Sequence, residues 1–165
     1  MSTIPSTSRR PARTYATGPV TRALRWFTVI AALGVTAWIL VRYPSLPATV
    51  ATHFDVSGQA DDWGPRWSVL VLAGVMLLLS LGLAALSTRP RLLNYPTRIT
   101  ASSAQAIYRE GERMLICTLL GVQGVYGGIA WSVLRGGGMP LIATGLVVLV
   151  TASVIGIIRL VRAGR

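Results

Sequence analysis

The chain has 165 residues, of which 52% are hydrophobic and only 13% charged, and it carries a net charge of +11. With a mean hydropathy of +0.58, it is too apolar for a soluble domain of this size and belongs with integral membrane proteins. The charge does not point to nucleic acid either, because its distribution follows a membrane rule.

All sixteen basic residues are arginine. Most fall in three segments: Arg9, Arg10, Arg13, Arg22 and Arg25; then Arg89, Arg91, Arg98, Arg109 and Arg113; then Arg159, Arg162 and Arg165. The stretches between hold only Arg42 and Arg66, and then Arg135. This positive-inside pattern predicts a multi-pass protein of the cytoplasmic membrane with both termini and the middle loop inside. The predicted fold is an all-α integral membrane protein, a bundle of four transmembrane helices with a structured extracytoplasmic loop.

Taken in order, residues 1–21 are rich in Ser, Thr, Pro and Arg and read as a disordered basic cytoplasmic tail. Residues 22–165 read as the membrane domain, with helices at about 25–42, 67–87, 113–134 and 140–161. The first apolar run is long for a signal peptide and is expected to stay as an uncleaved helix. Arg42, Tyr43 and Pro44 end it.

The outer loop, 43–66, gathers the sole histidine and three of the five acids. Leu46-Pro47 forms an extended or turn-forming pair, and Ser57-Gly58 and Trp63-Gly64-Pro65 supply turns. Within a short extended run, Thr52 and Phe54 would face one way and His53 and Asp55 the other. Trp63 and Trp67 suit the outer headgroup level.

Helix two offers Gly74, Ser80 and Gly82 for close helix contact. The cytoplasmic loop 88–112 leads through Thr100, a fair N-cap, to a short interfacial helix over Ala101–Arg113. Its Arg109, Glu110, Glu112 and Arg113 are expected to form a solvated face. In helix three, Gly124 and Gly128 allow close backbone approach, while Gln123, Tyr126 and Thr118, with Thr144 of helix four, suit hydrogen bonds between helices. Gly136–Gly138 is too short a hairpin to make a site, and Ala152 and Gly156 are a second small-residue pair. Cys117, alone in an apolar run, is expected to behave as a small hydrophobic residue.

Chemistry concentrates in the outer loop. His53, Asp55, Asp61 and Asp62 are the candidate metal ligands by donor type, although their spacing matches no established metal loop. Thr49, Thr52 and Ser57 lie near His53, but nothing in the spacing positions a nucleophile against a base. The helix interiors are read as free of ionisable residues, which argues against intramembrane proteolysis, proton-coupled transport and ion conduction. The chain has no lysine, hence no P-loop. No cofactor is expected.

The run Tyr43-Pro44-x-Leu46-Pro47-x-x-Val50-x-x-His53-Phe54-Asp55-x-x-Gly58-x-x-Asp61-x-Trp63-Gly64-x-Arg66 follows directly on a first membrane helix. It resembles the bacterial membrane domain of unknown function DUF1648, which also forms the N-terminal part of SdpI-type toxin-immunity proteins. The later Asn94-Tyr95-Pro96-x-x-Ile99-Thr100, with Tyr108 and Met114-Leu115, is similar to the continuation in short members. The resemblance extends from Trp26 to Leu115. Asp55 stands where that family commonly has asparagine, and Arg66 where lysine is usual. The additional C-terminal membrane domain of full immunity proteins is expected to be absent. The resemblance implies a membrane location and an outer-loop recognition element.

The resulting expectation is a non-enzymatic binding, sensing or immunity-like membrane protein acting through loop 43–66. Leu46, Pro47, Gly58, Trp63 and Gly64 would shape the loop, and His53, Asp55, Asp61 and Arg66 would make polar contacts. The expected partners are the lipid bilayer and a membrane or secreted peptide or protein, not nucleic acid; no oligomeric state is implied. A metal-dependent enzyme or metal-handling protein, and a small transporter or channel subunit, are the alternatives.

Overall fold

The computed structural model describes residues 10–165 and is mostly helical. Four helices, α1 (Pro19–Arg42), α2 (Ser68–Ser87), α3 (Ala104–Arg135) and α4 (Met139–Ala163), are joined by two short 3-10 turns and one β-hairpin, β1 (Thr49–Phe54) with β2 (Ala60–Pro65). All four helices are long and apolar enough to cross a membrane. By length and composition, this is a multi-pass membrane protein.

The burial pattern supports that reading. Large apolar side chains such as Leu78, Val147, Val150 and Ile157 are exposed, whereas Ser80, Glu112 and Gln123 are buried. An apolar exterior around polar interior contacts suits a hydrocarbon solvent. Helix α3 touches each of the other three helices, and α4 packs chiefly on α3. A cluster of Ile39, Val69, Ala73, Tyr126 and Ala130 closes the hairpin end, where α1, α2 and α3 meet.

Glycine sets the α3–α4 seam. A Cβ on Gly121 would stand 2.5 Å from the Leu149 backbone nitrogen, and one on Gly124 2.8 Å from the Gly145 Cα. The tight turn at Gly136 and Gly137, both at positive φ, reverses the chain between these helices. Gly128 also meets Ile142 and Gly138, so the Gly124/Gly128 pair does bring backbones together. Across α2–α3, the Gln123 amide donates to Ser80 Oγ at 2.8 Å, and across α1–α3 Tyr126 and Thr36 share a hydrogen bond of 2.9 Å. Thr118 and Ser153 do the same across α3–α4 at 3.3 Å. Thr144 only bonds back to the Pro140 carbonyl of its own helix.

Several expectations are revised. Gly74 and Gly82 face open space and make no helix contact; only Ser80 of that trio does. The interfacial helix and helix three are a single 32-residue α3. At 1.5 Å per residue this is about 48 Å, well beyond the 30 Å of a hydrocarbon core. Thr100 makes the bonds expected of an N-cap, its hydroxyl accepting from the Ser103 amide at 3.1 Å and its carbonyl from the Ala104 amide at 3.0 Å, one turn before the regular helix begins at Ala104. Of the tail 1–21, residues 1–9 lie outside the described residues. Residues 10–18 run without helix or strand against the arginine-rich end of α3, and Pro19 begins α1. Proline at the first helical position sets that start, since its missing N–H has no helical partner to lose.

The glycine seam makes a paired prediction. Gly145→Ala should lower the thermal stability of the detergent-solubilised protein by roughly 1–3 kcal/mol, because a Cβ there meets α3 backbone. Gly74→Ala, in open space, should leave it unchanged or slightly raised.

Candidate functional site

The loop expected between the first two helices is a β-hairpin. Thr49 pairs with Pro65, Val50 with Gly64 and Ala51 with Trp63, and irregularities then fall on either side of His53. The strict alternation expected for Thr52 to Asp55 is therefore broken. Val50 and Ala51 are both buried and Thr52 and His53 both exposed. A bulge rotates successive side chains off the two-residue period.

The tip is built by Asp55. Its Oδ1 accepts from the Ser57 amide at 2.8 Å, the Ser57 hydroxyl at 2.7 Å and the Gln59 amide at 2.9 Å. The Gly58 amide donates to the Asp55 carbonyl and the Asp55 amide to that of Gln59. With Gly58 at φ +84°, this is the three-residue connection that ends in a left-handed glycine. The donors hold the exposed Asp55 carboxyl below the usual carboxylate range, the Ser57 hydroxyl foremost and the Gln59 amide next.

A two-stranded hairpin is marginal alone, so its seating matters. Gly58 lies against Met139, the first residue of α4, where an added Cβ would come within 2.9 Å of Met139 Cβ. At the other end, Leu46 and Tyr43 pack on the helical cluster, and the Arg66 amide extends the ladder to the Ala48 carbonyl. Gly64 leaves room for Thr52 across the pair. Leu46, Gly58 and Gly64 are thus the hairpin's packing contacts, and Asp55 folds its tip.

The polar candidates do not converge on one point. His53 Nδ1 donates to Asp61 Oδ1 at 2.5 Å, both side chains being exposed. Asp62 faces the Thr52 hydroxyl at 3.4 Å and accepts from the Trp63 amide at 2.8 Å. Asp55 is turned into its own tip. Among the described residues no group of three His, Cys, Asp or Glu stands together as a metal site. Arg66 stacks over the Tyr43 ring at 5.3 Å and makes no ion pair with the aspartates among the described residues. Trp63 is 60% exposed and Trp67 59%, so both rings stand out from the protein surface.

The second polar constellation is at the opposite end, and residue order alone concealed it. Glu112, expected on a solvated face, is 2% exposed. Its carboxylate accepts from Arg25 of α1, from the Thr17 hydroxyl at 2.7 Å and from the Tyr15 phenol at 2.9 Å, with Arg13 at 3.4 Å. The Arg25 Nε in turn donates to Ser87 Oγ of α2 at 2.9 Å. Burial raises the Tyr15 phenol well above its ordinary range, and the neighbouring carboxylate adds to this. Gln105 grips the same segment through the Thr14 amide and the Ala12 carbonyl. The signal in the sequence was scarcity: one of two glutamates in a field of arginine.

Gly58→Val should unseat the hairpin tip, read as loss of amide-exchange protection at Ser57 and Gln59, whereas Gly74→Val, in open space on α2, should not. Asp55 gives a pH test. A depressed carboxyl stabilises the turn fully above its unfolded value of about 3.9, and this is lost as pH falls through the lower folded value. The Ser57 amide resonance should hold steady down to about pH 4 and shift only below it. For Glu112, substitution by Ala should free the segment that it clamps, so that trypsin cuts after Arg13 several-fold faster while cleavage after Arg135 is unchanged.

No curated protein and no solved structure shows significant similarity to the chain. The expected continuation of the resemblance to Leu115 lies beyond the residues matched by a family. Residues 29–77, from within α1 through the hairpin and into α2, match the family described as Domain of unknown function (DUF1648).

Proposed function

We propose that the protein is a non-enzymatic recognition element of the cytoplasmic membrane, binding a peptide or protein partner on the β1–β2 hairpin at the outer face. The observation that carries this reading is the seating of the hairpin. Its tip rests on Met139 and its base on the α1–α2–α3 cluster, while Val56 at the tip is wholly exposed and Trp63 largely so. A fixed strand pair with unpaired outer edges and protruding aromatic groups suits main-chain pairing with an extended segment. The polar row of Thr52, His53, Asp61 and Asp62 lies beside those groups and would select the partner's side chains. Immunity to a secreted peptide toxin is the specific form of this role that the SdpI resemblance supports.

Sidedness follows from the arginine distribution, which favours the hairpin outside and both termini inside. In intact cells a membrane-impermeant maleimide should label Ser57→Cys and not Arg165→Cys, with the parent chain as the Cys117 control. A photo-crosslinking residue at Val56 or Trp63 should then capture one discrete partner that the same residue at lipid-facing Leu78 does not. Labelling of Arg165→Cys alone would reverse the topology. Identical adducts at all three crosslinking positions would remove the hairpin as a recognition surface.

A further inference from the structure

The arginine-rich end of the α3–α4 pair holds a cavity of about 530 Å³ whose charged lining is Arg109, Arg113, Arg159 and Arg162 with a single acid, Glu110. A second cavity of about 370 Å³ shares Glu110, Arg113 and Arg159 and continues between the two helices past Met114, Cys117, Thr151 and Ile155, where its walls are almost wholly apolar. One opening is therefore cationic and the groove leading from it is hydrocarbon-like.

The charge here has no internal remedy. Of the five acids, Asp55, Asp61 and Asp62 are in the hairpin at the other end, and Glu112 is enclosed by Arg25, Arg13, Tyr15 and Thr17. Glu110 bonds Arg113 at 2.7 Å. Among the described residues no carboxylate pairs with Arg109, Arg159 or Arg162. Arg109 is held beside the Tyr15 ring, 5.1 Å from its centre, which limits its freedom to turn away. Guanidinium groups grouped in this way match phosphate oxygens in geometry and charge. A free phosphate would satisfy the arginines and leave the apolar groove empty; a phospholipid fills both.

We propose that this end of α3–α4 holds one anionic phospholipid, its phosphate among Arg109, Arg113, Arg159 and Arg162 and an acyl chain in the groove past Met114 and Ile155. The site is independent of the hairpin and rests only on the membrane-spanning character of the helices. Basic pockets between membrane helices at the cytoplasmic level are where anionic headgroups are retained.

The test is a native mass-spectrometric titration of the full chain in mild detergent with phosphatidylglycerol and, separately, phosphatidylcholine. One phosphatidylglycerol should be retained at about tenfold lower concentration than phosphatidylcholine. Arg159→Gln with Arg162→Gln should abolish that preference, and both side chains are exposed, so the fold should survive. Arg89→Gln with Arg98→Gln, two exposed arginines outside this pocket, should preserve it. Three results would overturn the proposal: no preference in the parent chain, equal loss in both double variants, or displacement of the bound lipid by excess inorganic phosphate. The first two leave only diffuse surface charge, and the third leaves an anion site without a lipid groove.

Discussion

A single buried carboxylate organises one end of this protein. Glu112 takes hydrogen bonds from α1 and from the segment before it, and through Arg25 it reaches Ser87 of α2. An ion pair removed from water contributes little net stability, since desolvation offsets much of the attraction. What it does supply is specificity, because each wrong arrangement of these segments strands a charge. In a chain where arginines outnumber glutamates so heavily, the one acid placed inside decides which arginines turn inward. Arg113 pairs with Glu110, while Arg109, Arg159 and Arg162 have no carboxylate partner among the described residues.

The opposite end is arranged by shape. Glycines along α3 and α4 let backbones approach, and the turn between these helices offers Met139 as a shelf for the hairpin tip. The hairpin depends on the helices more than they depend on it. Its two strands bury little beyond Val50 and Ala51, so its order is borrowed from Leu46 and Tyr43 at one end and Gly58 at the other. A surface seated in this way can present exposed Trp63 and Val56 without collapsing around them.

The legible part of the architecture was what the membrane dictates. Four apolar runs and a turn-rich stretch between the first two follow from solvent and backbone constraints that act locally. The strands were less legible because bulges beside His53 break the period that would have declared them. Asp55, whose residue type suits an outward contact, instead folds the tip upon itself. The interior place of Glu112 is hidden in the sequence because Arg109-Glu110-x-Glu112-Arg113 looks like any solvated helix face in one dimension. Only the return of Tyr15 and Arg25 from far away in sequence makes that position an interior. Long-range pairing of this kind leaves no periodic trace.

The continuous α3 joins the two ends without a hinge. It is a single helix from Ala104 to Arg135, gripped near one end by the partners of Glu112 and near the other by the cluster around Tyr126 and Ala130. A rod of about 48 Å that tilts by about 5° about its midpoint moves each end by about 2 Å in opposite senses. Such a displacement is comparable to the gap between a formed and a broken hydrogen bond. A tilt of α3 would thus be felt at both of its ends, one held by ionic contacts and the other by steric ones.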